Sequence, residues 1–174
     1  MADTIETLDY YVKEALDFFE KEVDFRVDLP ESAYTLVVGS QSGLLAGRTM
    51  YRFAGRSFSH AKEVLAKSEI DAKKKILKDV TIVSASGSRQ VIPIAEYALQ
   101  EGLKVNAVVC KANSELEQEF GDQMNIVGVP YIPEPPTINT STYGMMVQSI
   151  TCEDIPEIRR VVESLEGPEG GYDQ

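Results

Sequence analysis

Serine and glycine gather at two points of this 174-residue chain in a pattern suited to holding an anion. Gly39-Ser40-Gln41-Ser42-Gly43 and Ser84-Ala85-Ser86-Gly87-Ser88 each follow a β-branched apolar run, and each leads into an expected helix. Serine hydroxyls donate hydrogen bonds, and glycine lets the backbone come close to a ligand. The first N–H groups of a helix are unpaired and carry the positive end of its dipole. A phosphate can be cradled by such groups without a cluster of lysines. One Gly/Ser turn of this kind is an ordinary strand-to-helix joint with an N-cap. Two of them at equivalent strand ends point to a ligand site. Neither is the G-x-G-x-x-G dinucleotide fingerprint, and neither is the Walker pattern.

Groups able to move a proton are few. His60 is the single histidine, and an imidazole titrates near neutral pH. It has two readings, a displaced acid–base group or a polar residue closing a strand. Glu63 and Glu134 are the carboxylates near expected strand ends, and each also reads as solvated surface. The two cysteines, Cys110 and Cys152, form neither a disulfide framework nor a zinc spacing. Neither a metal nor a cofactor is expected.

The elements that must position these residues follow from apolar periodicity. Ile5, Leu8, Val12, Ala15, Leu16, Phe19 and Val23 form one stripe, which predicts a helix over residues 4–23. That stripe must bury itself on the domain or on another subunit. Strands are predicted at Thr35–Gly39, around Phe58, at Val80–Ser84, at Lys104–Cys110 and at Asn125–Val129. Helices are predicted from Leu44 to Ala54, from about Arg89 to Glu101, and from Ser114 to Phe120. Gly102 stops the second of these as a left-handed cap, and Pro93 lies near its start. Residues 67–78 are polar and ambiguous, with Lys73-Lys74-Lys75 read as a solvated helix face or turn. Two helices after a proline-rich connector finish the chain, the second running from Ile155 to Leu165 behind Asp154. Strands alternating with helices imply right-handed crossovers. The expected fold is therefore α/β, a three-layer α/β/α sandwich on a five-stranded parallel sheet. A single domain over residues 1–166 and a disordered tail at 167–174 are expected.

Composition narrows the partners. The formal net charge is −11, from 28 acidic and 17 basic residues. A field of that sign repels nucleic acid but leaves room for one small phosphorylated ligand held by local backbone N–H groups. There is no leader-like start and no apolar run long enough for a bilayer, so a cytoplasmic protein with no membrane partner is expected.

The run Val83-Ser84-Ala85-Ser86-Gly87-Ser88, the helix ending at Gly102 and the strand Val105 to Val109 resemble the hallmark of the sugar isomerase (SIS) domain family. That hallmark reads hydrophobic-Ser-x-Ser-Gly-x-Thr, helix, Gly, strand. Ser114 matches the serine of the family's next loop, and Asp122 the acidic residue after its short helix. Gln41-Ser42-Gly43-Leu44-Leu45-Ala46, with Arg52 beyond it, is similar to the R-S-G-L-V-A run and helix Arg of 6-phospho-3-hexuloisomerases. The resemblance covers roughly residues 35–150.

The resemblance implies phosphate binding by Ser84, Ser86 and Ser88 around Gly87, with Ser40, Gln41 and Ser42 on the sugar side. The second loop is one residue shorter than the family pattern, with Ser88 in the Thr position. Arg89 then follows the cradle, placed to cap a phosphate or to point to solvent. Two positions depart from the hexuloisomerase pattern. Gly55 stands where that pattern has His, and Gly144, after Tyr143, stands where it has Glu. Aldose–ketose isomerisation needs a base and usually a ring-opening acid. The function expected is sugar-phosphate binding with aldose–ketose isomerisation, and the alternative is a non-catalytic regulatory module. The resemblance and the N-terminal stripe also imply a homodimer or homotetramer.

Overall fold

β-Branched runs that are apolar on both faces suit strands covered on both sides, and that is where this chain places them. A computed structural model describes residues 8–21, 34–50, 57–129, 144–145 and 159–160, with side chains of the first helix from Lys13 onward. The elements run α1 (Leu8–Lys21), β1 (Thr35–Gly39), α2 (Ser42–Met50), β2 (Ser57–His60), α3 (Glu63–Lys73), β3 (Asp79–Val83), α4 (Ile92–Gln100), β4 (Lys104–Val109), α5 (Glu115–Phe120) and β5 (Asn125–Gly128). The five strands form one parallel sheet in the order β2-β1-β3-β4-β5. The α/β sandwich expected from the sequence is what forms.

Alternation along the strands divides the core in two. Leu36, Val38, Val80, Ile82, Val105, Ala107 and Val109 face α3, α4 and α5, packing with Ala66, Ile70, Ile94, Ala98, Leu116 and Phe120. Val37, Val83 and Val108 face the other way, against Ala15 and Phe19 of α1, Ala46 of α2, and Met145. Ala15, Leu16 and Phe19 of the predicted N-terminal stripe are thus buried within the chain itself. Arg159 fastens the late segment to α1, donating to Asp17 and to Glu20 at 2.6 Å each.

Several boundaries differ from the sequence reading. The ambiguous stretch contains most of α3, which begins soon after β2. Only Ala66 and Ile70 of that helix are buried, so its apolar signal is thin. Lys73 ends α3 and pairs with Glu69, while Lys74 reaches Glu101 at the end of α4. The helix expected from Arg89 starts instead at Ile92, because Arg89–Val91 form a turn closed by Val91 N–H donating to the Ser88 carbonyl at 3.0 Å. Its C-terminus is as expected. Gly102 has φ +74°, its N–H bonds the Leu99 carbonyl, and the Leu103 N–H bonds the Ala98 carbonyl, a Schellman closure. The connector, the tail, Gly55, Tyr143, Cys152 and Glu134 lie outside the described residues, as does most of each late helix.

Helix α2 lies so close to the sheet that only glycine fits along one edge. A Cβ on Gly43 would stand 2.6 Å from the Val83 carbonyl oxygen, and one on Gly47 would stand 2.6 Å from Val37 Cγ1. A Cβ on Gly39 would stand 2.6 Å from the Leu44 nitrogen. Backbone atoms cannot retreat as a flexible side chain can. Gly43→Ala is therefore expected to lower stability by about 1–3 kcal/mol, the range of overpacked cores. Gly128→Ala, where a methyl meets open space, should stay within about 0.5 kcal/mol. Equal effects in denaturant unfolding would contradict the close approach.

Candidate functional site

The strand order decides where a ligand can sit. From β1 the chain steps outward through α2 to β2, then returns across β1 through α3 to β3. Helix α2 consequently lies on one face of the sheet and α3 on the other, and the loops leaving β1 and β3 diverge. In open parallel sheets this reversal opens a crevice at the carboxyl ends of the strands. The two Gly/Ser loops singled out by sequence are the two that flank it.

In the first loop the chain turns sharply. Gln41 has φ +44°, and the Gly43 N–H donates to the Ser40 carbonyl at 2.8 Å. Ser40 is half-buried, Gln41 is exposed, and Ser42 is the first residue of α2. The contact between Gly43 and the Val83 carbonyl puts this turn beside Ser84, at the start of the second loop.

The second loop is anchored by its carbonyls more than by its amides. The Ser84 carbonyl accepts from Gly87 N–H at 3.2 Å, and the Ala85 carbonyl from Cys110 and Lys111. The Gly87 carbonyl accepts from Leu116 N–H at 3.0 Å. Among the described residues, the N–H groups of Ser86, Ser88, Arg89 and Gln90 have no backbone acceptor. Such unpaired donors beside a helix start are what an anion requires. Gly87 sits at φ +52° with Ser114 packed on it, where a Cβ would come within 2.7 Å of the Ser114 Cβ. Ser84 and Ser88 are half-buried and Ser86 is exposed. Ser114, the match to the family's next loop, is fully buried and caps α5, its Oγ accepting from Glu117 N–H at 3.2 Å. It serves to hold Gly87 in place.

The other candidates fall at different distances from this crevice. His60 ends β2 and stands beside Gly39 in register. The next residue ties it to both neighbours. Ala61 N–H donates to the Gly39 carbonyl at 2.8 Å, and Gln90 Nε2 donates to the Ala61 carbonyl at 3.3 Å. His60 Nδ1 is buried with no hydrogen-bond partner, a state that costs free energy until a ligand or water supplies one. Glu63 is turned outward and pairs with Lys67 at 2.8 Å. Arg89 is 90 % exposed and gives its Nε–H to Glu115 at 3.2 Å. Cys110 is buried in the core beside α1 and α2. Gly144 is buried too, and a side chain there would overlap the Phe19 ring. Among the described residues, no group of three His, Cys, Asp or Glu could hold a metal ion.

The sequence reading missed Gln90 and Glu115. Both act only through contacts across the fold, and no local motif marks them.

No protein-family profile matches the sequence, and no curated protein does. Solved structures do match in fold. The chain is similar to Escherichia coli CFT073 c3406, solved in complex with arabinose 5-phosphate, with a TM-score of 0.57 at 12 % identity, covering 92 % of this chain and 94 % of that one. The Vibrio vulnificus NanR protein, complexed with ManNAc-6P, matches with a TM-score of 0.54 at 19 % identity over 88 % of this chain and 59 % of its own. Tagatose-6-phosphate ketose/aldose isomerase from Escherichia coli matches with a TM-score of 0.51 at 12 % identity, over 88 % and 48 %. The fold is one shared by phosphosugar isomerases and by a phosphosugar-binding protein.

Proposed function

We propose that this chain binds a sugar phosphate in the crevice between β1 and β3 and that its reaction is aldose–ketose isomerisation. The observation that carries the binding is the set of unpaired amides at Ser86, Ser88, Arg89 and Gln90, held open beside the strand reversal. Ser84, Ser86 and Ser88 add hydroxyl donors around Gly87, and Ser40, Gln41 and Ser42 face the rest of the sugar. The ligands named for the neighbours, arabinose 5-phosphate and ManNAc-6P, support the same ligand class. The branch nearest to 6-phospho-3-hexuloisomerases is part of this proposal and rests on the first loop.

For isomerisation, His60 is the group best placed to move a proton between adjacent carbons, since its Nδ1 is unpartnered beside the first loop. Glu63 would first have to leave Lys67, and Glu134 lies outside the described residues. The Gly144–Phe19 packing favours a second reading. It fills with an aromatic ring the position where the hexuloisomerase pattern carries Glu, as a site kept for binding alone would tolerate.

The Ser86→Ala/Ser88→Ala double variant should keep its fold and lose sugar-phosphate affinity. Each hydrogen bond to a charged group contributes roughly 1.5–3 kcal/mol. Unchanged calorimetric affinity for arabinose 5-phosphate and N-acetylmannosamine 6-phosphate, given measurable wild-type binding, would remove the cradle.

Catalysis has its own measurement. Deuterium from solvent should enter the carbon beside the carbonyl of a bound sugar phosphate, and His60→Ala should slow that exchange at least about a hundredfold while binding persists. Binding with no exchange across pentose, hexose, heptose and amino-sugar phosphates would leave the regulatory reading in its place.

Assembly is also proposed. Leu45 on α2 and Val64 and Leu65 on α3 are exposed on either side of the edge strand β2, Val64 by 79 %. Light scattering at micromolar concentration is expected to give a dimer or tetramer mass, and a monomer would refute it.

A further inference from the structure

An anion cradle in a strongly acidic protein should avoid nearby carboxylates, yet Glu115 is fixed against it. The two residues flanking Glu115 both hold the loop. Ser114 packs on Gly87, and Leu116 donates its N–H to the Gly87 carbonyl at 3.0 Å. Glu115 therefore cannot drift away from the cradle without the start of α5 coming loose. Beyond it lies an open groove of about 700 Å³ lined by Arg89, Ile92, Pro93, Glu115, Gln118 and Glu119. The only cation of that lining is Arg89, whose backbone N–H is one of the unpaired amides and whose Nε–H is given to Glu115 at 3.2 Å. Both side chains are solvated, by 90 % for Arg89 and 46 % for Glu115.

We propose that Glu115 is a specificity-setting residue that holds Arg89 off the cradle, so that a ligand phosphate must win the guanidinium from it. This rests on the phosphate site proposed above. A solvated ion pair is weak, while a phosphate dianion accepting from a guanidinium and from several amides at once makes stronger, charge-assisted bonds. The exchange of partners therefore favours phosphate and disfavours anions that cannot reach the amides as well. With Arg89 on Glu115, the empty cradle carries no bare positive charge. With Arg89 on the ligand, the phosphate is capped on its open side and Glu115 is released to solvent.

A double-mutant cycle tests this with inorganic phosphate as the probe, its binding followed by the backbone amide resonances of Ser86–Gln90. Wild-type protein should show those amides shifting on titration. If they do not shift, the phosphate site itself is wrong and the proposal falls with it. Where they do, Glu115→Gln should tighten binding about two- to fivefold, the scale of a solvated ion pair, and Arg89→Ala should weaken it. The gain from Glu115→Gln should shrink by at least half when Arg89 is already alanine. Glu119→Gln, which removes a groove carboxylate that does not pair with Arg89, should give no comparable gain. An equal gain in both backgrounds, the same gain from Glu119→Gln, or no gain at all would overturn the competition for Arg89 while leaving the cradle standing.

Discussion

The close approach of α2 to the two central strands is the constraint on which the site depends. Gly43 and Gly47 stand four residues apart and so share one edge of α2, while Gly39 closes β1 under the start of that helix. Each of the three meets atoms that leave no space for a methyl. Because α2 lies this deep, the β1 loop turns within van der Waals range of the end of β3, and the two Gly/Ser loops become walls of one crevice. A bulkier residue at any of the three positions would lift the helix and part the loops. The glycines within α2 also weaken it as an isolated helix, so tertiary packing must hold it where the ligand needs it.

Charge is arranged locally against the overall field. A net charge of −11 opposes the arrival of any phosphate. The loop answers with oriented N–H dipoles, which bring no desolvated ion with them and act only at short range. Ion pairs elsewhere, such as Lys67 with Glu63, Lys74 with Glu101 and Arg159 with Asp17 and Glu20, sit near the surface, and the last two tie separate elements together. Arg89 differs from these in standing at the lip of the crevice, where its partner decides how the cradle presents itself to an anion.

Binding and chemistry make separate demands on this chain. A cradle needs only amides, hydroxyls and a glycine with positive φ, and these stand together around Gly87. Proton transfer needs a titratable group aimed at the carbon skeleton. His60, beside the first loop, answers to that description more closely than Glu63, which is spent on Lys67. The packing of Phe19 on Gly144 leaves no volume there for a longer side chain, so a carboxylate at that position would have to displace the ring of α1.

Strong local signals made much of this legible in advance. The runs at Thr35–Gly39, Val80–Ser84 and Lys104–Cys110 are continuous and β-branched, Gly102 stands alone at a helix end, and the Ser-x-Ser-Gly loop follows a strand. These elements and the two Gly/Ser loops could be read from residue type and spacing alone. Helix α3 was not legible, because it buries only Ala66 and Ile70 and shows little periodicity. The start of α4 was misplaced because the turn at Arg89–Val91 is set by a backbone bond to Ser88, which no side chain announces. Strand order is a property of the folded sheet, and with it came the facts that matter most for function. It alone brought Gly43 to Val83, His60 to Gly39, Gln90 to Ala61 and Glu115 to Arg89, because contacts between residues dozens of positions apart arise from packing and leave no trace in local spacing.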